Sequence, residues 1–144
     1  MKDPINILLV EDNPADIRLI KEVFKDTNSN NEIFVVKDGV NVLDFLNRKS
    51  KFENVPKPDI ILLDLNLPRK DGREVLKEIK ENDKFKHIPI VVLTTSSSKE
   101  DVIKTYGNHA NCYITKPVDF DRFLKVIKSI EDFWLKIIEL PQLD

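Results

Sequence analysis

The sequence predicts a doubly wound α/β fold, in which helices cover both faces of one parallel sheet. Five short apolar runs alternate with amphipathic helical patterns along the 144 residues. The first, third and fourth runs are nearly continuous in isoleucine, leucine and valine, which is typical of parallel strands buried on both faces. Such alternation implies right-handed crossovers between parallel strands. Because no repeat or linker interrupts the pattern, we expect one domain that spans residues 1–144.

The candidate strands are short apolar segments with polar or charged residues at or after their ends. They are predicted at residues 5–10, 32–37, 59–64, 89–94 and 110–115. The longest loop predicted between elements, residues 49–58, is too short to separate two domains.

Two helices are predicted from apolar side chains that recur every three or four residues, over residues 15–25 and 73–81. Their apolar faces consist of Ile17, Ile20, Phe24, Val75, Leu76 and Ile79. Both segments carry charged residues at the intervening positions, so each helix is expected to cover one face of the sheet.

Capping residues mark the starts of three helices. Asn13 precedes Pro14, which places a capping amide before a first-turn proline. Ser97 stands three residues before Glu100, which is the spacing of a capping box. Asp119 is the candidate cap of the last helix.

The last helix is predicted over residues 119–139, which at 1.5 Å per residue is about 30 Å long. A heptad-like apolar seam follows it, formed by Phe123, Ile127, Ile130, Trp134 and Ile137. Because the aromatic-rich end extends beyond the sheet, we expect a homodimer through this helix. The alternative is that the tail packs back onto its own domain.

The composition excludes several classes of partner and site. Lysine and arginine number 23 against 25 acidic residues, so a net charge of −2 gives no reason to expect nucleic acid or an anionic membrane. One cysteine cannot form an internal disulfide, and no cysteine–histidine set has the spacing of a zinc site. No apolar stretch approaches the roughly 20 residues of a membrane span, and no signal peptide is evident. We therefore expect a cytoplasmic protein.

Acidic residues follow two of the predicted strands directly. Glu11 and Asp12 come after the first strand, and Asp64 ends the third. Charges seldom lie at the rim of a hydrophobic core unless something compensates them. If the two strands are neighbours, these carboxylates converge and a divalent metal would compensate them. Magnesium is favoured over zinc because no imidazole or thiolate is present.

The other strand ends add groups suited to phosphoryl transfer. Thr94 ends the fourth strand, and Lys116 follows the fifth beside Pro117; ligands of open α/β sheets bind at such ends. The Asp64 carboxylate could attack phosphorus and form an aspartyl phosphate, while Lys116 and the metal neutralise charge. Thr94 would bond a phosphoryl oxygen only after transfer, and Tyr113 is the aromatic expected to move inward with it.

Four motifs, in this order, resemble the receiver domains of two-component response regulators. They are residues 7–13 (ILLVEDN), 59–68 (DIILLDLNLP), 91–95 (VVLTT) and 113–117 (YITKP). The resemblance implies a flavodoxin-like, five-stranded sheet of order 2-1-3-4-5, to which the pattern of residues 119–139 adds an extended C-terminal helix.

The resemblance also assigns a role to each site residue. It implies that Asp64 is the phosphoacceptor and that Glu11, Asp12, Asp64 and the backbone carbonyl of Asn66 hold magnesium. The side chain of Asn66 could influence how water attacks the acyl phosphate, or it could simply stabilise a turn.

The fourth motif and the sensor threonine complete the implied site. Thr94 and Tyr113 match the switch pair, and Lys116 matches the phosphate-binding lysine. The peptide bond before Pro117 is expected to be cis.

Partners are implied by the same resemblance. A sensor histidine kinase would supply the phosphoryl group, and a downstream protein that the sequence does not identify would receive the signal. Residues 11–18 (EDNPADIR) resemble single-domain regulators partnered with phytochrome-type kinases. The chain ends a few residues after the last helix, so we expect no attached DNA-binding domain.

Two other functions are compatible with parts of the pattern. An aspartate-nucleophile phosphatase of the haloacid dehalogenase type would require a second acid two residues after Asp64, where Asn66 stands. A flavin-binding electron carrier would require a phosphate loop after the first strand, where Glu11 and Asp12 would repel the flavin phosphate. We therefore expect a signalling module that catalyses only its own phosphorylation and slow dephosphorylation.

Overall fold

The computed structural model describes residues 4–26 and 30–142, and at its centre lies a five-stranded parallel sheet. The strands are β1 (Ile5–Val10), β2 (Asn31–Val36), β3 (Ile60–Leu63), β4 (Ile90–Thr94) and β5 (Cys112–Thr115). Their order is β2-β1-β3-β4-β5, as the resemblance implied. The single domain predicted over residues 1–144 includes residues 1–3, 27–29 and 143–144, which lie outside the described residues.

Among the described residues, four α-helices connect successive strands and a fifth follows β5. They are α1 (Pro14–Lys25), α2 (Val40–Leu46), α3 (Gly72–Glu81), α4 (Lys99–Gly107) and α5 (Phe120–Glu131), and a short 3-10 turn (Ser50–Phe52) lies within the predicted loop 49–58. The N-caps predicted for α1 and α5 are confirmed, because Asn13 accepts from the N–H groups of Ala15 and Asp16, and Asp119 from that of Arg122. No helix among the described residues is long and apolar enough to cross a bilayer.

The predicted cap of α4 is wrong by one residue. Ser98, rather than Ser97, has the extended backbone of an N-cap, and its Oγ accepts from the N–H of Asp101 at 3.0 Å. Adjacent serines each stand three residues before an acid, Ser97 before Glu100 and Ser98 before Asp101. The spacing therefore does not distinguish the two, and the backbone path after β4 decides between them.

The fifth strand begins at Cys112 rather than at residue 110. The N–H of Ala110 donates to the carbonyl of Thr105 at 3.2 Å, and the N–H of Asn111 donates to Ile90 at 3.0 Å. His109 before them has a φ of 70°. These residues therefore close α4 and turn the chain before the regular ladder begins.

The sheet is covered on both faces, which explains why its strands do not alternate with polar residues. Side chains of β1, β3 and β4 point alternately to two apolar layers. One layer packs against α2 and α3 and includes Leu8, Val10, Ile61, Leu63, Val75, Leu76 and Ile79. The other packs against α1 and α5 and includes Ile7, Leu9, Ile17, Ile20, Phe24, Ile60, Leu62 and Ile127.

The register aligns the carboxyl ends of the central strands at one rim. Val10 pairs with Leu63, and the N–H of Asp64 then donates to the carbonyl of Val10 at 3.0 Å. On the far side, the N–H of Lys116 donates to the carbonyl of Thr94 at 2.6 Å. Backbone hydrogen bonds thus continue past the strands and fix where the site residues begin.

The C-terminal helix is long, but its last turns are not α-helical. After Glu131 the chain continues as a π-helix over Asp132–Ile137, and Ile138 is extended, so the helix ends before the predicted residue 139. Trp134 is half-buried and packs with Leu135 against the layer under α1 and α5, whereas Ile137 is 71% exposed. The i→i+5 pattern interrupts the heptad repeat, and the contacts of Trp134 and Leu135 show that part of the tail packs back on its own domain.

Candidate functional site

Three carboxylates meet where β1 and β3 end. Ligand oxygens of Glu11, Asp12 and Asp64 lie within 4.8 Å of one another. Glu11 and Asp64 are only 2% and 6% exposed, and Asp12 is exposed to solvent. An oxygen-only donor set of this kind fits a hard divalent cation.

Backbone hydrogen bonds orient the two buried acids. Glu11 Oε2 accepts from the N–H groups of Asp12 and Asn13 at 3.1 and 3.2 Å. Asp64 Oδ1 accepts from the N–H of Asn66 at 3.1 Å. Each carboxylate therefore has one oxygen held by the following loop, while its other oxygen points to the interior of the pocket and contacts Lys116.

Lys116 lies at the centre of the acids. Its Nζ donates to Glu11 Oε1 at 2.5 Å, to Asp16 Oδ2 at 2.8 Å and to Asp64 Oδ2 at 3.2 Å. The side chain of Lys116 is almost fully buried. All three hydrogens of the ammonium group are therefore directed at carboxylates.

Burial and the charge of Lys116 have opposite effects on the pKa of Glu11, and burial and the nearby carboxylates have opposite effects on the pKa of Lys116. Burial raises the pKa of Glu11 to about 7, and the charge of Asp64 adds to that rise, although the hydrogen bond and charge of Lys116 oppose it. Burial disfavours the Lys116 ammonium, but hydrogen bonds to Asp16 and Glu11 outweigh it, so the pKa of Lys116 is above its ordinary value. Lys116 is therefore charged, and further positive charge would favour ionised Glu11.

Thr94 lies beside this pocket, and its side chain is fully buried. Its Oγ1 accepts from Asn66 Nδ2 at 3.4 Å and from the N–H of Ser96 at 3.5 Å, while Asn66 Nδ2 also lies 3.3 Å from Thr95 Oγ1. These long distances indicate weak bonds. The Asn66 amide therefore bridges from the loop after β3 to the end of β4, over the same rim as Asp64.

Tyr113 connects β5 to the loop between β4 and α4. Its hydroxyl donates to the carbonyl of Ser96 at 2.8 Å, and its ring packs against the apolar layer under α2 and α3. Its backbone N–H donates to the hydroxyl of Tyr106 on α4 at 3.1 Å. The ring is already turned inward in this structure, and its movement with Thr94 remains a prediction.

The structure adds a network of one ion pair and its hydrogen bonds that the sequence reasoning missed. Arg73 Nε and Nη2 donate to Asp101 Oδ1 and Oδ2, both at 2.6 Å, and Ser96 Oγ donates to Asp101 Oδ2 at 2.5 Å. Hydrogen bonds from Arg73, then from Ser96, hold the pKa of Asp101 well below its usual range. Since Ser96 also accepts from Tyr113, the network joins α3, α4 and β5 next to Thr94.

Asp16 is a further residue that the sequence reasoning missed. In the sequence it is indistinguishable from any acid in the first turn of a helix, where such residues are common. Only the packing of α1 against the strand ends brings its carboxylate to Lys116. Arg73 and Asp101 also lie at helix starts, so their pairing depends on tertiary structure in the same way.

The expected cis peptide bond before Pro117 is wrong, because no cis peptide bond occurs among the described residues. The two isomers of an X–Pro bond differ by only about 0.5–1 kcal/mol in favour of trans, so the residues themselves do not decide between them. The role of the Asn66 backbone carbonyl as a metal ligand remains a prediction.

Comparison with known proteins gives one consistent result. The model of the family "Response regulator receiver domain" matches residues 7–128. Response regulator Rcp1 of Synechocystis sp. is 50% identical over 138 residues, which are 96% of this chain and 94% of that protein. The probable methanogenesis regulatory protein FilR2 of Methanothrix harundinacea is 41% identical over 134 residues, 93% of this chain and 86% of that protein.

Solved structures agree with the sequence comparison. The Mn(2+)-bound form of Rcp1 superimposes with a TM-score of 0.94 at 50% identity, covering 96% of this chain and all 100% of that chain. The phosphorylated cyanobacterial phytochrome response regulator RcpA gives a TM-score of 0.93 at 46% identity, covering 96% of this chain and 99% of that one. Both the sheet order and the long C-terminal helix are therefore shared with receiver structures.

Proposed function

Because this chain belongs to the response regulator receiver family of two-component systems, we propose that it accepts a phosphoryl group on Asp64 from a histidine kinase. The observation that carries this proposal is the position of Lys116, whose ammonium is bonded to Asp64 inside a cluster of acids. A lysine so placed is suited to bind phosphoryl oxygens on that carboxylate.

We propose magnesium as the resident cation. Glu11, Asp12 and Asp64 would hold it, with the backbone carbonyl of Asn66 as a further oxygen ligand. When bound, it would supply positive charge that offsets the negative oxygens of the transferring group. The chemistry of the donors supports this choice, since all of them are oxygens and one acid remains open to solvent.

The transfer itself needs few groups from the protein. An oxygen of the ionised Asp64 forms a bond to phosphorus while the phosphorus–nitrogen bond of the donor histidine breaks, and the electron pair stays on that nitrogen. Asp64 is held for this attack by the N–H of Asn66 on Oδ1 and by Lys116 on Oδ2. Lys116 neutralises the oxygens that gain charge, and burial of the pocket strengthens that attraction.

The signal would leave the site through Thr94. Thr94 Oγ1 accepts in its weak contacts with Asn66 and with the N–H of Ser96, so its hydroxyl hydrogen can be donated to a phosphoryl oxygen. Movement of the hydroxyl towards that oxygen would lengthen both weak contacts. A hydrogen bond to a charged group is worth about 1.5–3 kcal/mol. That shifts a two-state equilibrium of the loop by about one to two decades. Because Ser96 is bonded to Tyr113, the loop and the ring would move together.

The partner surface proposed for this switch lies beside the relay. Apolar side chains are exposed on α4 and before and at the start of α5, namely Ile103, Tyr106, Val118 and Phe120. Tyr106 is bonded to the backbone of Tyr113, so a change at β5 would reach this surface directly. A downstream protein is the proposed occupant.

We also propose a phytochrome-type histidine kinase as the phosphodonor and a homodimer through the C-terminal helix. The first rests on the likeness to RcpA, a phytochrome response regulator of which a phosphorylated structure is known. The second rests on Phe133 and Ile137, which are exposed on the π-helical end. Trp134 is half-buried in its own domain, so it contributes less to a dimer than the sequence suggested.

Phosphorylation is tested by intact mass. The protein is incubated with magnesium and acetyl phosphate, and we expect the mass of one added phosphoryl group. Asp64→Asn should remove the increase, whereas the matched control Asp83→Asn, an exposed acid paired with Lys86, should retain it. No increase under conditions that modify a known receiver, or an equal increase in Asp64→Asn, would contradict the proposal.

The dimer is tested by sedimentation velocity. Ile137→Lys, at a position that is exposed in the monomer, should convert dimer to monomer without unfolding it. Ile103→Lys on α4 is the matched control and should leave the dimer intact. A wild-type protein that sediments as a monomer at all concentrations, with or without acetyl phosphate, would refute this part.

A further inference from the structure

Asp16 is a fourth acid in the pocket, and its position differs from that of the other three. Its Oδ2 lies 2.8 Å from Lys116 Nζ. The group of acids whose oxygens approach one another within 4.8 Å contains Glu11, Asp12 and Asp64 but not Asp16. Asp16 therefore contacts the lysine from outside the carboxylate cluster suited to a cation.

The start of α1 fixes Asp16 in this place. Asn13 Oδ1 accepts from the N–H groups of Ala15 and Asp16, at 3.0 and 3.1 Å, and Pro14 occupies the first turn. Since β1 ends three residues before Asn13, the cap ties the first turn of α1 to the rim of the sheet. The Asp16 carboxylate is thus carried by a rigid element and is mostly buried.

Lys116 needs such a partner because its other two carboxylates have competing roles. Its bonds run to Glu11 and Asp64, both of which would hold the cation, and Asp64 would also carry the phosphoryl group. Once the oxygens of Glu11 and Asp64 bind the cation or the phosphoryl group, the Asp16 carboxylate is the partner that still contacts only the Lys116 ammonium. The lysine stem has four rotatable bonds, so an ammonium without an anchor would sample several positions.

We propose that Asp16 is a positioning residue that holds the Lys116 ammonium over Asp64 during and after phosphoryl transfer. This inference rests on the proposed function. It assigns Asp16 no contact with the phosphoryl group or the cation; Asp16 acts through Lys116. The competing explanation is that Asp16 only stabilises the positive end of α1, as first-turn acids do.

The test uses Asp16→Asn, which keeps the shape of the side chain and removes its charge. Asp16→Glu is the rescue variant, and Asp121→Asn, an acid in the first turn of α5, is the matched control. Three quantities are measured: the plateau rate of phosphorylation by acetyl phosphate in saturating magnesium, the magnesium affinity of the unphosphorylated protein, and the NMR signal of the Lys116 ammonium group.

Loss of a residue that hydrogen-bonds a metal ligand lowers metal affinity or activity by about ten- to a hundredfold, and we take the same range for the partner of Lys116. We expect a fall of that size in the plateau rate of Asp16→Asn, little change in magnesium affinity, and loss of the protected ammonium signal. Asp16→Glu should recover part of the rate, and Asp121→Asn should match the wild type. A wild-type rate, or a reduced rate with the ammonium signal intact, would overturn the proposal.

The ammonium signal also separates this inference from the proposed function. It is recorded on magnesium-loaded protein without any phosphodonor, so it reports on the Asp16–Lys116 contact even if phosphorylation of Asp64 is never observed. A protected signal in the wild type that Asp16→Asn abolishes supports the positioning role alone. A wild-type protein that is phosphorylated but shows no dependence on Asp16 refutes that role alone.

Discussion

The paired hydrogen bonds between Arg73 and Asp101 offer a quantitative test of how firmly α3 and α4 are joined beside the switch. The perturbation is a double-mutant cycle of Arg73→Ala, Asp101→Ala and the double variant. Each of the two bonds is 2.6 Å long and charge-assisted, and such bonds contribute about 1.5–3 kcal/mol each when water is excluded.

Solvent reduces that figure, because the Arg73 side chain is 34% exposed and that of Asp101 is 16% exposed. Exposed ion pairs contribute only about 0.2–1 kcal/mol. We therefore expect a coupling free energy of about 1–2 kcal/mol for the pair, between the two limits. With an m-value of about 2 kcal/mol per molar urea, this corresponds to about 0.5–1 M in the unfolding midpoint.

Urea unfolding followed by tryptophan fluorescence measures this coupling, since Trp134 is the only tryptophan in the sequence and is half-buried. Glu100 and Lys104 on the outer face of α4 form a matched control, as both side chains are mostly exposed. Their coupling should stay within about 0.5 kcal/mol. If the Arg73–Asp101 coupling does not exceed that of the control pair, the reasoning from its geometry is refuted.

The pH dependence provides an independent check on the same pair. The pKa of Asp101 is lowered in the folded protein by Arg73 and Ser96, from an ordinary value of 3.8. Its stabilising effect is therefore fully present above about pH 4–5 and is lost as the pH falls towards the lower folded value. The difference in unfolding free energy between wild type and Asp101→Ala should be constant near neutral pH and should shrink below about pH 4.

Three further outcomes follow from the site geometry. Because burial raises the pKa of Glu11 to about 7 and a metal ligand must be ionised, magnesium affinity measured by titration calorimetry should rise with pH through about 7, and Glu11→Gln should flatten that rise. Thr94→Ala should still be phosphorylated in the intact-mass assay, but the phosphorylation-dependent amide NMR shifts of the loop after β4 should be largely lost. Gly72→Ala places a Cβ 2.3 Å from the carbonyl oxygen of Asp64 and 2.6 Å from Leu65 Cα, so it should destabilise the protein by about 1–3 kcal/mol in urea unfolding and slow phosphorylation; wild-type behaviour would contradict the packing.

The sequence predicted those parts of the fold and site that depend on local pattern. Continuous apolar runs identified the buried strands, and the residues directly after them, such as Glu11 and Asp64, necessarily lie at the rim once the strands are parallel. The order of the strands came from resemblance, because periodicity does not say which strands are neighbours. Once the order is known, the convergence of Glu11, Asp64 and Lys116 follows from geometry.

The missed features depend on contacts between elements that are distant in the sequence. Asp16 and Asp101 both look like ordinary first-turn acids, and only the packing of α1 and α4 directs one to Lys116 and the other to Arg73. The cap of α4 was placed one residue early because neighbouring serines satisfy the same spacing. The cis bond at Pro117 was carried over from the resemblance, and the small energy difference between isomers leaves it undetermined by the residues themselves.

The widening of the last helix has an electrostatic explanation. Glu131 is fully buried where the π-helix begins, and its carboxylate oxygens accept no hydrogen bond within the described part of the chain. The ammonium of Lys136, five residues later, lies 3.3 Å from Glu131 Oε1. In an α-helix, residues five apart point in directions roughly 140° apart, whereas the wider turns of a π-helix, with i→i+5 hydrogen bonds, bring them nearer to one face.

The wider turns therefore let a cation reach a buried anion that would otherwise be uncompensated, and leaving a buried charge unpaired is strongly destabilising. Ile137, which lies in these wider turns, is exposed to solvent. The turns that pair Glu131 with Lys136 are thus the same turns whose exposed apolar side chains, Phe133 and Ile137, form the surface proposed for a second molecule. An isosteric Glu131→Gln exchange would remove the need for the wider pitch, and with it the present direction of that surface.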